Sequence, residues 1–176
     1  MTKKFKTFLF MLRIFLPTLL TVLWLGFIFS NSMQSGASSG AASGRVHTLV
    51  NLIPEMLGLG SPISHHFVRK LAHFAEFAIL SLLACADLWC LKAVSLKQSL
   101  KKSIPLISLS LPFCILCAAA DEFIQNFSEG RGPSLKDVFI DSSGALFATI
   151  LFITIFCIIR YFKNKSVMNN TITIQM

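Results

Sequence analysis

The sequence predicts an all-α integral membrane protein with four transmembrane helices, a short amphipathic helix in the first outer loop, and both termini cytoplasmic. Three observations carry that expectation. The 176-residue chain is 54% hydrophobic and only 14% charged, whereas a soluble domain has about a quarter of its residues charged. The apolar residues gather in four runs, each close to the roughly 20 residues that cross a bilayer as a helix. The sixteen Lys and Arg residues concentrate on one side of those runs.

The spans read as about 8–29, 67–90, 103–120 and 138–159 within one membrane domain at 8–162, followed by a polar, disordered tail at 163–176. Lys3, Lys4 and Lys6 precede the first run, as in a signal peptide. The run is longer than the apolar region of such a peptide, so it reads as an uncleaved anchor. The following Ser/Gly/Ala-rich stretch, SNSMQSGASSGAASG, has the composition of a flexible segment. Val46, Leu49, Val50, Ile53, Met56 and Leu57 then recur at helical spacing and predict a helix ending before Gly58-Leu59-Gly60. Such a helix suits the membrane interface or a cap on the bundle. The third span contains Pro105 and Pro112, and a kink is expected at Pro112. Pro133 suits the first position of the fourth helix.

Orientation follows from the cations. With the N-terminus inside, the inner segments carry Lys3, Lys4, Lys6, Arg13, Lys92, Lys97, Lys101, Lys102, Arg160, Lys163 and Lys165, eleven of the sixteen. The outer side keeps Arg45, Arg69, Lys70, Arg131 and Lys136, together with seven of the eight acids; Asp87 alone lies near the inner face. A net charge of +8 suits nucleic acid in a soluble protein. Here the cations flank apolar runs, so the lipid bilayer is the expected partner and nucleic acid is not. All five cysteines lie in apolar segments, and Cys114-Ile115-Leu116-Cys117 has no further Cys or His near it in sequence. They read as small buried hydrophobes.

Polar residues form one stripe on each of three helix ends. At 100° per residue, Arg69, Lys70, His73 and Glu76 share one face of the second span. Asp121, Glu122 and Gln125 share another at the end of the third, and Asp137, Asp141, Gly144 and Ala148 form an i, i+4 ladder on the fourth. Gly144 and Ala148 also make a small-xxx-small pattern that admits a neighbouring helix. Ionisable groups in membrane helices turn inward and pair, so the stripes are expected to face one another around an outward pocket. The loop Ser128–Lys136 brings Arg131 there, with Gly130 and Gly132 easing its backbone. His65, His66 and His47 are assigned no role. The adjacent pair cannot share a helical face.

Carboxylates with a histidine suit a divalent cation, and Asp121, Glu122, Asp137 and Asp141 are the metal candidates. Arginine forks a phosphate or carboxylate, and Lys70, Gln125, Arg131, Asp137 and Asp141 are the ligand-binding candidates. His73 can shuttle a proton, and His73, Glu76, Asp121 and Glu122 are the catalytic candidates. A packed, hydrogen-bonded His73 and a structural ion-pair network fit the same pattern. Asp137-x-x-x-Asp141 lacks the companion acidic element of the CDP-alcohol phosphatidyltransferases, and Gly-x-Ser-x-Gly is absent.

Arg69-Lys70-Leu71-Ala72-His73-Phe74-Ala75-Glu76-Phe77, Asp121-Glu122-Phe123-Ile124-Gln125, Gly130-Arg131, and Asp137-Val138-Phe139-Ile140-Asp141 with Gly144 resemble the VanZ-like family in order and spacing. The likeness spans about residues 20–160 and includes Phe29-Ser30 with its serine-rich loop. Lys70, His73 and Glu76 match the family's basic-His-acid helix. Asp121, Glu122 and Gln125 match its Asp-Glu-x-x-Gln, and Arg131 and Asp137 its following Arg and Asp. Asp141 stands where the family usually has Asn, which adds a charge and removes a donor. The resemblance implies the plasma membrane of a bacterium and a cell-envelope context; the founding member is associated with low-level teicoplanin resistance. The expected function is binding or processing an anionic lipid or cell-wall precursor. The alternatives are a metal-assisted enzyme acting on lipid phosphates and a non-catalytic scaffold.

Overall fold

A computed structural model describes residues 3–58, 63–90 and 99–175. Among them there are helices and connecting turns and no strand. The order is α1 (Lys3–Ser32), α2 (Gly36–Met56), α3 (His65–Cys90), α4 (Leu100–Ser108), α5 (Ser110–Gln125) and α6 (Leu135–Gln175). Four stretches are long and apolar enough to cross a membrane: Phe10–Ser32, His65–Cys90, Leu100–Gln125 and Leu135–Ser166. Lys92, Lys97 and the Leu59-Gly60 end of the glycine turn lie outside the described residues.

The boundaries have local causes. Ser64 opens α3 by accepting the Phe67 N–H on its hydroxyl, at 3.2 Å. Ser134 does the same for Asp137 at 3.4 Å, so α6 begins at Leu135 and Pro133 stands outside it rather than in its first turn. The third span is interrupted at Leu109, three residues before Pro112. Proline has no N–H to offer the carbonyl four residues back and its ring crowds that carbonyl, here that of Ser108. The Ser110 hydroxyl donates to the Ile107 carbonyl at 2.9 Å beside the break.

Two stretches differ from the expectations. The Ser/Gly/Ala segment is helical from Gly36 onward. Gly36 N–H donates to the Glu129 carbonyl at 2.9 Å, and a Cβ on Gly36 would lie 2.8 Å from the Gly130 carbonyl oxygen. A tertiary contact therefore fixes the start of a helix whose composition reads as flexible. The helix of the fourth span also continues through the polar tail to Gln175.

The core lies between α1, α3, α5 and α6. Ile28, Phe77, Leu80, Cys114, Cys117, Ala118 and Ala145 form one buried cluster, and Cys85, Ile107 and Phe156 a second. The cysteines are free, with Cys85, Cys114 and Cys117 buried. Hydroxyls link the helices inside the apolar layer: Ser81 and Thr149 are 2.8 Å apart, and Thr149 lies 3.2 Å from Ser110. Asp87 accepts from Thr18 at 3.1 Å and Thr21 at 2.7 Å, which ties the far end of α3 to α1.

Helices α3 and α6 run parallel and close. Lys70 meets Asp137, His73 faces Asp141, and Ser81 meets Thr149. Between them, a Cβ on Gly144 would collide with the Phe74 carbonyl, and Ala148 is buried. We expect Gly144→Ala to lower stability by about 1–3 kcal/mol, as overpacking does, in thermal unfolding of the detergent-solubilised protein. Gly26→Ala, which meets nothing within 4 Å, should not.

Candidate functional site

The ends of α1 and α5 meet the beginnings of α3 and α6, and the polar stripes converge there. Each carboxylate finds a different environment. Asp121 is fully buried; it accepts the Ser32 hydroxyl at 2.5 Å and the Gln125 amide at 2.8 Å. Glu122 accepts the Ser134 N–H at 2.7 Å, so α5 helps to cap α6. Asp137 is paired with Lys70. Glu76 accepts the Asn31 amide at 3.2 Å. Asp141 is fully buried, yet neither of its oxygens has a hydrogen-bond partner. His73 Nδ1, 3.6 Å from Asp141 Oδ1, also lacks one.

Arg131 sits on the α5–α6 loop, where Gly130 adopts φ +72°. That left-handed conformation is one that glycine reaches without a Cβ clash. Gly132 has no such φ and no close neighbour. The loop docks on the α1–α2 turn. Ser128 donates to the Ser32 carbonyl at 2.7 Å, and Arg131 Nη1 donates to the Asn31 carbonyl at 3.2 Å. Burial, and then the neighbouring Arg69 guanidinium, push the Arg131 pKa below its ordinary value; Asp121, Glu122 and Asp137 act in the opposite direction.

A cavity of about 290 Å³ opens beside this cluster. Asn31, Arg69, His73, Glu76 and Arg131 line it, with Ser39 and Ser43 of α2 on another side. Of the residues read as ligand-binding, Arg131 lines the cavity, whereas Lys70, Gln125, Asp137 and Asp141 do not. Of those read as catalytic, His73 and Glu76 line it, and Asp121 and Glu122 do not. The four metal candidates divide as well. His73, Asp121 and Asp141 bring ligand atoms within 4.8 Å of one another, while Asp137 turns to Lys70 and Glu122 to Ser134.

Asn31 and Ser32 escaped the sequence reading, although they hold Glu76 and Asp121. The available signal was the Ser-Asn-Ser run closing the first span.

A bundle of four membrane-length helices closed by buried, ionisable side chains defines a multi-pass membrane protein with an internal polar site. A family model described as VanZ/LLP1 matches residues 15–160, and the chain belongs to this VanZ-like family, as its motifs suggest. No curated protein and no solved structure matches the chain.

The Lys70–Asp137 pair gives a first test. Removing one member of a buried pair strands the other charge, at a cost of about 3–5 kcal/mol when burial is complete. Lys70 is 19% exposed, so Lys70→Met should fall at or below the lower end. The double variant Lys70→Met/Asp137→Leu should recover much of the loss in the same unfolding assay.

Proposed function

We propose that this protein binds an anionic cell-envelope ligand, a phosphate-bearing lipid or precursor, in the cavity between α1, α2 and α3. The observation that carries the reading is the pair Arg69 and Arg131. Both line the cavity, and each has a buried Nε without a hydrogen-bond partner. Guanidinium groups suit phosphate because their donors match its oxygens in pairs. Two neighbouring cations in a partly desolvated site repel, and an anion between them relieves that repulsion. Lys70 does not contribute, because Asp137 holds it.

The cavity faces the outer leaflet of a bacterial plasma membrane, with both termini cytoplasmic. The support is the cation asymmetry: Arg13, Lys101, Lys102, Arg160, Lys163 and Lys165 lie on the parts of α1, α4 and α6 away from the site. Positive flanks stay on the cytoplasmic side. An occupied envelope ligand at this position would alter access of glycopeptides such as teicoplanin, the phenotype associated with the family's founding member.

The test is native mass spectrometry and lipid binding on the purified protein in nanodiscs, with wild type, Arg69→Gln and a Glu55→Gln control. Losing one charged donor costs about 1.5–3 kcal/mol. Arg69→Gln should therefore weaken binding of an anionic phospholipid about tenfold or more, with Glu55→Gln unchanged. A parallel arm with soluble inorganic phosphate separates a lipid ligand from a free anion. Teicoplanin resistance in cells expressing Arg69→Gln should fall to that of cells lacking the protein. Equal lipid binding in all three proteins would exclude the cavity as the ligand site and leave the scaffold reading.

A further inference from the structure

We infer that His73, Asp121 and Asp141 form a site for one first-row divalent cation, of the Mn²⁺ or Zn²⁺ class, behind the cavity. This does not rest on the anion reading; it stands on three separate observations.

The first is convergence. One imidazole nitrogen and two carboxylate oxygens, from α3, α5 and α6, lie within 4.8 Å of one another. Ligands at about 2.0–2.2 Å from one ion stand about 3.4 Å apart in a tetrahedral arrangement. His73 Nδ1 and Asp141 Oδ1 are 3.6 Å apart, too far for a hydrogen bond and close to that ligand–ligand edge. Along that edge the remaining approach is about 0.2 Å, and the edges to Asp121 lie within 4.8 Å.

The second is the state of Asp141. It is fully buried, and both its oxygens and the facing His73 nitrogen lack partners. Buried polar atoms without partners are uncommon and call for an explanation. A buried carboxylate with none is costly, and a cation bound between these atoms removes that cost. Asp121 is held in place by Ser32 and Gln125, one bond to each oxygen. Each oxygen keeps a second lone pair for a metal, and such supporting bonds orient ligands in metal sites.

The third is charge. Among the described residues, Glu76, Asp121, Glu122, Asp137 and Asp141 face Arg69, Lys70 and Arg131, an excess of two carboxylates. With every one of these carboxyls ionised, a single divalent ion offsets the two excess negative charges. One nitrogen and two oxygens, with no sulfur in the set, favour borderline and hard ions over soft ones. His73 also lines the cavity, so an ion held there has a route in from solvent.

The experiment is titration of Mn²⁺ into the full-length, chelator-stripped protein in zwitterionic nanodiscs, without phosphate, followed by calorimetry and by the spin-resonance signal of free Mn²⁺. Wild type should bind one ion per chain and gain thermal stability on binding. Asp141→Asn keeps size and shape, and His73→Ala removes the nitrogen; each should lower affinity about tenfold or more and lose the thermal shift. Glu55→Gln should match wild type. Arg69→Gln should keep the ion, so failure of anion binding and failure of cation binding are read apart. No Mn²⁺ uptake beyond that of empty nanodiscs overturns the site. So does the same affinity and thermal shift in folded Asp141→Asn as in wild type.

Discussion

The close approach of α3 to α6 sets the geometry of everything polar in this protein. Gly144 lets the two parallel backbones come together where any Cβ would strike the Phe74 carbonyl. Toward the helix starts, that spacing puts His73, the residue before Phe74, opposite Asp141, one turn before Gly144; a further turn places Lys70 against Asp137. In the other direction it allows the Ser81–Thr149 contact. Between membrane helices there is little hydrophobic drive, because lipid is as apolar as leucine. Close packing and interhelical hydrogen bonds hold them together instead. Here the same contact that packs the helices also fixes the register of their ionisable groups.

Those groups divide by how well they are partnered. Asp121, Asp137, Glu76 and one oxygen of Glu122 are matched by Ser32 and Gln125, Lys70, Asn31 and the Ser134 N–H. The matches join α1 to α5, α3 to α6, α1 to α3 and α5 to α6, so they account for the closed end of the bundle. A purely structural network would be expected to extend this to every member, since a half-satisfied buried network is worse than an apolar one. It does not extend to Asp141, or to the Nε atoms of Arg69 and Arg131. The unpartnered atoms are of both signs and lie around one region.

Much of this was legible in the sequence because helical periodicity is strict. Arg69, Lys70, His73 and Glu76 had to share a face once their segment was helical, and burial of charge in an apolar bundle had to bring the stripes together. The four spans followed from length and hydropathy alone. Pairings within the cluster were not legible, since periodicity gives a face and not a partner. That Lys70 takes Asp137, leaving Asp141 to His73, depends on the relative register of α3 and α6. Asn31 and Ser32 were hidden by their surroundings: a serine- and glycine-rich stretch reads as flexible until a contact elsewhere holds it. The docking of Gly36 on the Glu129–Gly130 turn is such a contact, about a hundred residues away in sequence.

The arrangement also constrains how two ligands would behave together. Arg69 and Arg131 stand at the cavity, and Asp121 and Asp141 stand behind it, with His73 at the boundary. An anion drawn by the arginines approaches carboxylates that repel it, and a cation drawn by the carboxylates approaches arginines that repel it. Occupation of either position neutralises the charge that opposes the other. In a partly desolvated site these opposing interactions are weakly screened, so each proposed ligand would strengthen binding of the other, and by the same factor in both directions. With both proposed ligands bound, the mixed charges at this end of the bundle would act as one coupled site, with His73 as the residue common to the cavity and the carboxylate group.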